Sequence, residues 1–153
     1  MRTEQDSTVF ERRRVMAVLA RSDGRDIEVR IGALSDLPSC REIRRPEIGL
    51  VMLRGRIGGS GAPFNLGEAT VTRAAVQLPT GETGFCYALG RDAEKARNSA
   101  IVDALWQSPE WRARVEAEIV EPLTKALAES DARSSAATAT TRVDFFTLVR
   151  GED

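Results

Sequence analysis

Residues 49–89 read GLVMLRGRIGGSGAPFNLGEATVTRAAVQLPTGETGFCYAL, and three strands follow from them. Leu50, Val51, Met52 and Leu53 make the stretch from Gly49 to Ile57 rich in strand formers. The loop Gly58-Gly59-Ser60-Gly61-Ala62-Pro63 interrupts it. A longer strand is expected from Leu66 to Leu78, through Thr70-Val71-Thr72-Arg73-Ala74-Ala75-Val76. Pro79-Thr80-Gly81-Glu82 carries proline and glycine where tight turns use them, and Thr83 to Leu89 is the next strand. Connections this short require antiparallel neighbours, since a parallel crossover needs about a dozen residues. Upstream, Cys40 to Arg45 is short, mixed and halted by Pro46, which suits an edge strand. The expectation is an antiparallel meander of about four strands.

The flanks switch to helical spacing. Val9 to Ala20 reads as a helix with Phe10, Val15, Val18 and Leu19 on one side and Glu11-Arg12-Arg13-Arg14 on the other. Asp23 is placed to cap a second, shorter helix carrying Ile27, Ile31 and Leu34, which Leu37-Pro38-Ser39 ends. After the sheet, Asp92 caps a helix whose Ala93, Ala96, Ala100 and Ala104 form a small-residue stripe that can lie close on a sheet. Ser108-Pro109 opens another, with Trp111, Val115, Ile119, Leu123 and Leu127 repeating every four residues. Pro122 predicts a kink or break in that ridge. Ser134 to Thr141 is a weak helix former expected to loosen before Val143-Asp144-Phe145-Phe146-Thr147-Leu148-Val149. The fold class is α+β: one domain over residues 1–153, with N-terminal and C-terminal helices flanking the sheet.

Composition narrows the chemistry. Apolar residues make up 42% and charged residues 29%, the mixture of a globular chain. A net charge of −1 argues against non-specific capture of nucleic acid or membrane, so neither is expected as a partner. No apolar run reaches the roughly 18 residues of a membrane span. Met1 to Phe10 is too polar for a secretory signal, and Cys40 and Cys86 stand alone, so reduced thiols and a cytoplasmic location are expected. The sequence contains no histidine. The commonest general base, the imidazole metal ligand and every triad built on histidine are therefore missing. Neither cysteine has a second thiol two to four residues away, so no metal site is expected. No pair of carboxylates stands out as acid and base. No catalytic residue is assigned.

Three features remain as candidate sites. The loop with Gly58, Gly59 and Gly61 lacks Gly-Lys-Ser/Thr and leads into a strand, so it fits neither a Walker A loop nor a dinucleotide fingerprint. It is either a hairpin connection or a loop that orders, with Phe64, against a partner or an anion. Arg54 and Arg56 share one side of their strand, roughly 6.6 to 6.8 Å apart, with Arg73 on the neighbouring strand. Guanidinium pairs suit phosphates, phosphonates or partner carboxylates; the alternative is a solvated face pairing with Glu68 or Asp92. Leu50 and Met52 share the arginine face while Val51, Leu53 and Ile57 line the other. Neither is cleanly polar, and the face that helices leave uncovered wants a partner. The tail at 142–151 is the third candidate: Phe145, Phe146, Leu148 and Arg150 either fold back or dock on another subunit.

These segments, in this order, resemble the G subunit family (PhnG) of the carbon–phosphorus lyase system. The resemblance is carried by RIGGSGAPFNLGEATVTRAAV at Arg56–Val76, GxxxALGRD at Gly84–Asp92 and VDFFTLVRG at Val143–Gly151, with EIGLV at Glu47–Val51. It covers nearly the whole chain. It implies a cytoplasmic core complex of G, H, I and J subunits, acting with an ATP-binding-cassette-like subunit. In that family the G, H, I and L components together transfer the ribose triphosphate of ATP onto methylphosphonate, releasing adenine. The J component then breaks the carbon–phosphorus bond by S-adenosylmethionine radical chemistry on an iron–sulfur cluster. The resemblance assigns no catalytic residue and no cofactor to the G chain itself. Its expected work is accessory, with arginines reaching a shared substrate site as the second reading and a free small-molecule binding module as the third.

Overall fold

The computed structural model describes residues 2–140, with side chains from residue 7 onward. The elements in chain order are α1 (Arg2–Arg21), α2 (Gly24–Ala33), β1 (Arg41–Arg56), β2 (Pro63–Gln77), β3 (Thr83–Leu89), α3 (Ala93–Gln107), α4 (Arg112–Val115) and α5 (Glu121–Ala139). The strands form one antiparallel sheet in the order β1-β2-β3, as the short turns require.

The sheet has three strands rather than four, because Pro46 does not end a strand. Residues 41–56 run as one piece, and the register with β2 shifts between Glu42 and Arg44 and again between Arg44 and Glu47. Those bulges leave Arg45 and Pro46 out of the pairing. On an edge strand a proline can sit where no ladder donor is missed. A further shift between Leu53 and Arg54 lies near the hairpin tip.

The helices cover one face of the sheet. Asp92 caps α3 by accepting from the Lys95 N–H at 2.8 Å, and Asp23 caps α2 from the Arg25 N–H at 2.8 Å. Ala96, Ala100 and Ala104 are all fully buried where α3 meets the sheet. Gly84 on β3 receives the helix: a Cβ there would run into the Ala100 carbonyl and the Ala104 amide. Ile27, Ile31 and Leu34 join this core as expected, with Val15 and Leu19 from α1. Phe10 does not join it and is 72% exposed. It stands five residues before Val15, a rotation of roughly 500° that carries it off the Val15–Leu19 stripe.

The ridge after Ser108 keeps Val115, Ile119 and Leu123 buried, but it is not broken at Pro122. Glu116–Val120 forms a π-helical turn, and Pro122 falls in the first turn of α5. The wider turn accommodates a ring that would clash with the preceding carbonyls and lacks an N–H to donate. The alanine-rich stretch beyond also departs from expectation, since α5 continues to Ala139. Alanine's helix propensity and the bond from Thr138 Oγ1 to the Ser134 carbonyl support that exposed end.

Candidate functional site

β2 is two strands in one. Its second half, from Val71, lies between β1 and β3 and is largely buried; its first half pairs only with β1 and is exposed from Pro63 to Glu68. β1 and β2 therefore project beyond β3 as a two-stranded arm, closed by the glycine loop. On that arm Leu50, Met52, Leu53, Ile57 and Leu66 are all exposed, Leu50 at 62% and Ile57 at 75%, and Ile48 at its base is exposed as well. Isolated two-stranded ribbons are marginal in water, so an apolar arm of this kind is built to be covered.

The glycines shape the tip. Gly58 and Gly59 sit at φ 60° and 80°, in the left-handed region. The Gly61 N–H closes the turn onto the Ile57 carbonyl at 2.9 Å, and a Cβ at Gly61 would lie 2.6 Å from that same oxygen. Phe64, partly exposed, lays its ring against Gly55 opposite. Turn geometry accounts for these glycines.

The three arginines are not brought together. Arg54 and Arg56 do share one side of β1 near the tip, while Arg73 lies opposite Glu47. Glu47 and Arg54 are seven residues apart along β1, about 24 Å. Residues opposite one another share a face, so Arg73 and Glu47 lie on the face away from Arg54 and Arg56. Their partners also differ from those weighed in the sequence. Arg73 Nε donates to Glu47 Oε2 at 3.1 Å, and Arg56 donates to the Gly61 carbonyl at 3.0 Å; neither meets Glu68 or Asp92. Among the described residues Arg54 has no hydrogen-bond or ion-pair partner, and it stands exposed among apolar neighbours.

The sheet face away from the helices is uncovered and semi-apolar. Phe85, Tyr87 and Leu89 are 48%, 54% and 71% exposed, beside Arg44, Glu47 and Arg73. The tail residues Phe145, Phe146, Leu148 and Arg150 lie outside the described residues.

One arrangement escaped the sequence reading. Asp103, in the apolar run Ala100–Trp106, is completely buried. Its carboxylate accepts from Arg12 Nε at 2.9 Å and Nη2 at 2.7 Å, and from the Phe85 N–H at 2.8 Å. Gln107 Nε2 donates to the Thr83 carbonyl at 2.8 Å, and Arg12 reaches the same oxygen. Side chains from α1 and α3 thereby satisfy the outward Thr83 carbonyl and Phe85 N–H of β3. The hydrogen bond to Asp103 raises the Arg12 guanidinium further above its ordinary value. An acidic residue inside an otherwise apolar helix was the available signal.

Nothing in the described residues resembles an acid–base pair poised in a cleft. A cleft of about 550 Å³ lies where Arg21, Asp23, Asp92, Lys95 and Arg133 approach one another. Four of its charges are already engaged: Asp23 and Asp92 cap helices, Lys95 Nζ donates to the Ala20 carbonyl, and Arg21 pairs with Asp131. Burial pushes the thiols of Cys40 and Cys86 up, away from thiolate character. Among the described residues no three His, Cys, Asp or Glu side chains cluster to hold a metal. No described helix is long and apolar enough to cross a membrane.

The family model for phosphonate metabolism protein PhnG matches residues 10–151. A relative from Rhizobium meliloti (strain 1021), the alpha-D-ribose 1-methylphosphonate 5-triphosphate synthase subunit PhnG, is 51% identical over 152 residues. That match spans 99% of this chain and 97% of the relative. The chain belongs to the PhnG family of phosphonate metabolism proteins.

Proposed function

We propose that this chain is a non-catalytic subunit of a cytoplasmic assembly that transfers the ribose triphosphate of ATP onto methylphosphonate. It acts with the H, I and L components, within a core of G, H, I and J chains; S-adenosylmethionine and the iron–sulfur cluster belong to the J component. The observation that carries this reading is the arm, whose apolar residues have no cover within the described chain. The relative's role as a synthase subunit supports it, and so does a sequence without histidine or paired thiols. The assembly is reconstituted with and without this chain, and adenine release is followed. Turnover is expected from the complete assembly, and none from the assembly lacking this chain or from the chain alone. Turnover by the purified chain would refute the reading. The docking role of the tail is tested in the same system, where Phe145→Ala with Phe146→Ala weakens recovery of the partner subunits.

Arg54 favours a second reading. An exposed guanidinium on a projecting arm, with no partner among the described residues, can enter a neighbour's site and bind its anionic substrate. Arg54→Ala then lowers turnover while assembly is intact. Full activity in the assembled variant removes this role.

A further inference from the structure

The two edges of the sheet are treated differently. On β3 the Phe85 N–H and the Thr83 carbonyl point away from β2, into Asp103, Arg12 and Gln107. Backbone groups alternate along a strand, so Gly84, Cys86 and Ala88 bond to β2, opposite Val76, Ala74 and Thr72. The residues between them on β2, Val71 and Arg73, then face β1, opposite Gly49 and Glu47. From Glu47 to Leu53 the register with β2 is unbroken. Glu47, Gly49, Val51 and Leu53 therefore bond to β2, and Ile48, Leu50 and Met52 turn their N–H and C=O groups outward. Among the described residues those outward groups meet no side chain and no other strand. Ile48 at the base of the arm and Leu50 and Met52 on it are also exposed apolar residues. A long, bare, apolar edge is a template for another strand, and proteins normally block such edges. Here the opposite edge is blocked at Thr83 and Phe85, and this one is not.

Charge indicates what pairs with it. β1 carries Arg41, Arg44, Arg45, Arg54 and Arg56 against Glu42 and Glu47. That is an excess of three positive charges on a chain whose net charge is −1. Two copies meeting edge to edge bring like charges together in two central registers: a pairing centred on Gly49 sets Arg54 opposite Arg44, and one centred on Leu50 sets Arg56 opposite Arg44. The apolar part of the chain's own tail, residues 142–151, holds Arg142 and Arg150 against one Asp144, the wrong sign as well, with Glu152 and Asp153 lying only beyond it.

We propose that the outer edge of β1, from Ile48 to Arg54, accepts an extended segment of a partner subunit that carries acidic and apolar residues, adding a fourth strand to the sheet. Main-chain bonds at Ile48, Leu50 and Met52 supply the pairing, and a carboxylate opposite Arg54 sets the register. This rests on the subunit reading above.

Residue-resolved hydrogen exchange tests it on the full chain, alone and reconstituted with the H, I and J companions. The amides of Ile48, Leu50 and Met52 exchange freely in the isolated chain and slow at least about tenfold in the assembly, while those of Gly49, Val51 and Leu53 are protected in both. Leu50→Pro removes one outward donor while sparing the β2 ladder, so it lowers recovered assembly with the circular dichroism of the chain unchanged. An assembly in which the three amides stay unprotected overturns the proposal and leaves the subunit reading standing. Protection in the isolated chain that vanishes on removing residues 141–153, or that depends on concentration, overturns it in favour of the tail or a second copy. Failure of the wild-type chain to assemble at all sinks the subunit reading, and the added strand with it.

Discussion

The two halves of β2 teach more than any other pair of regions. From Val71 to Gln77 the strand is held on both sides, and α3 lies on it so closely that β3 admits only glycine at position 84. From Pro63 to Thr70 the same strand has one neighbour, and its apolar side chains face solvent. Both halves use similar residues, so hydrophobicity does not separate them. What separates them is the reach of α3 and β3, which end where the arm begins. The covered half holds the fold together, and the bare half is available to others.

Substitutions should therefore split into those that cost stability and those that cost assembly. Gly84→Ala has the largest expected effect, because the new methyl meets helix backbone; it should cost about 3 kcal/mol or more in denaturant unfolding. Arg12→Met comes next. It strands the buried Asp103 carboxylate and reopens the β3 edge, at about 3 kcal/mol, an amount tempered by the partial exposure of Arg12. In the arm, Ile57→Ser with Leu66→Ser should change unfolding by about 0.5 kcal/mol or less, yet sharply reduce recovery of the assembly. A comparable stability loss there would mean that the arm is part of the core and would dissolve the contrast.

The smallest expected effect is that of pH. Thr80 bonds to Glu82 and holds its carboxyl below the usual range. That contribution is present above the ordinary carboxylate value and fades as pH falls through the lowered one. Burial raises both thiols, so their contribution persists below the ordinary thiol value and declines as pH rises beyond it. With no histidine in the chain, stability should be flat from about pH 6 to 8 in thermal melts. A marked slope inside that window would contradict these assignments.

Much of the fold was legible. The caps at Asp23 and Asp92, the turn at residues 79–82 and three of the four stripe alanines are local features that local rules read correctly; Ala93, in the first turn of α3, is exposed. The strand count was not legible, because whether Pro46 breaks a strand depends on which edge β1 occupies. Pro122 marked an irregularity but not a break: the helix absorbs the ring through a π-helical turn just before it, with Val115, Ile119 and Leu123 all anchored in one core. Arg54, Arg56 and Arg73 seemed close because their strands are neighbours, but the register sets Arg73 far from the tip and on the other face.

The amino-acid order alone determined the α+β class, the antiparallel hairpins and the lack of imidazole chemistry, since each depends on residue type and short-range spacing. Only the tertiary structure decided which edge of the sheet is sealed. Arg12 and Asp103 are 91 residues apart, and their meeting over β3 is a consequence of packing that no local pattern encodes.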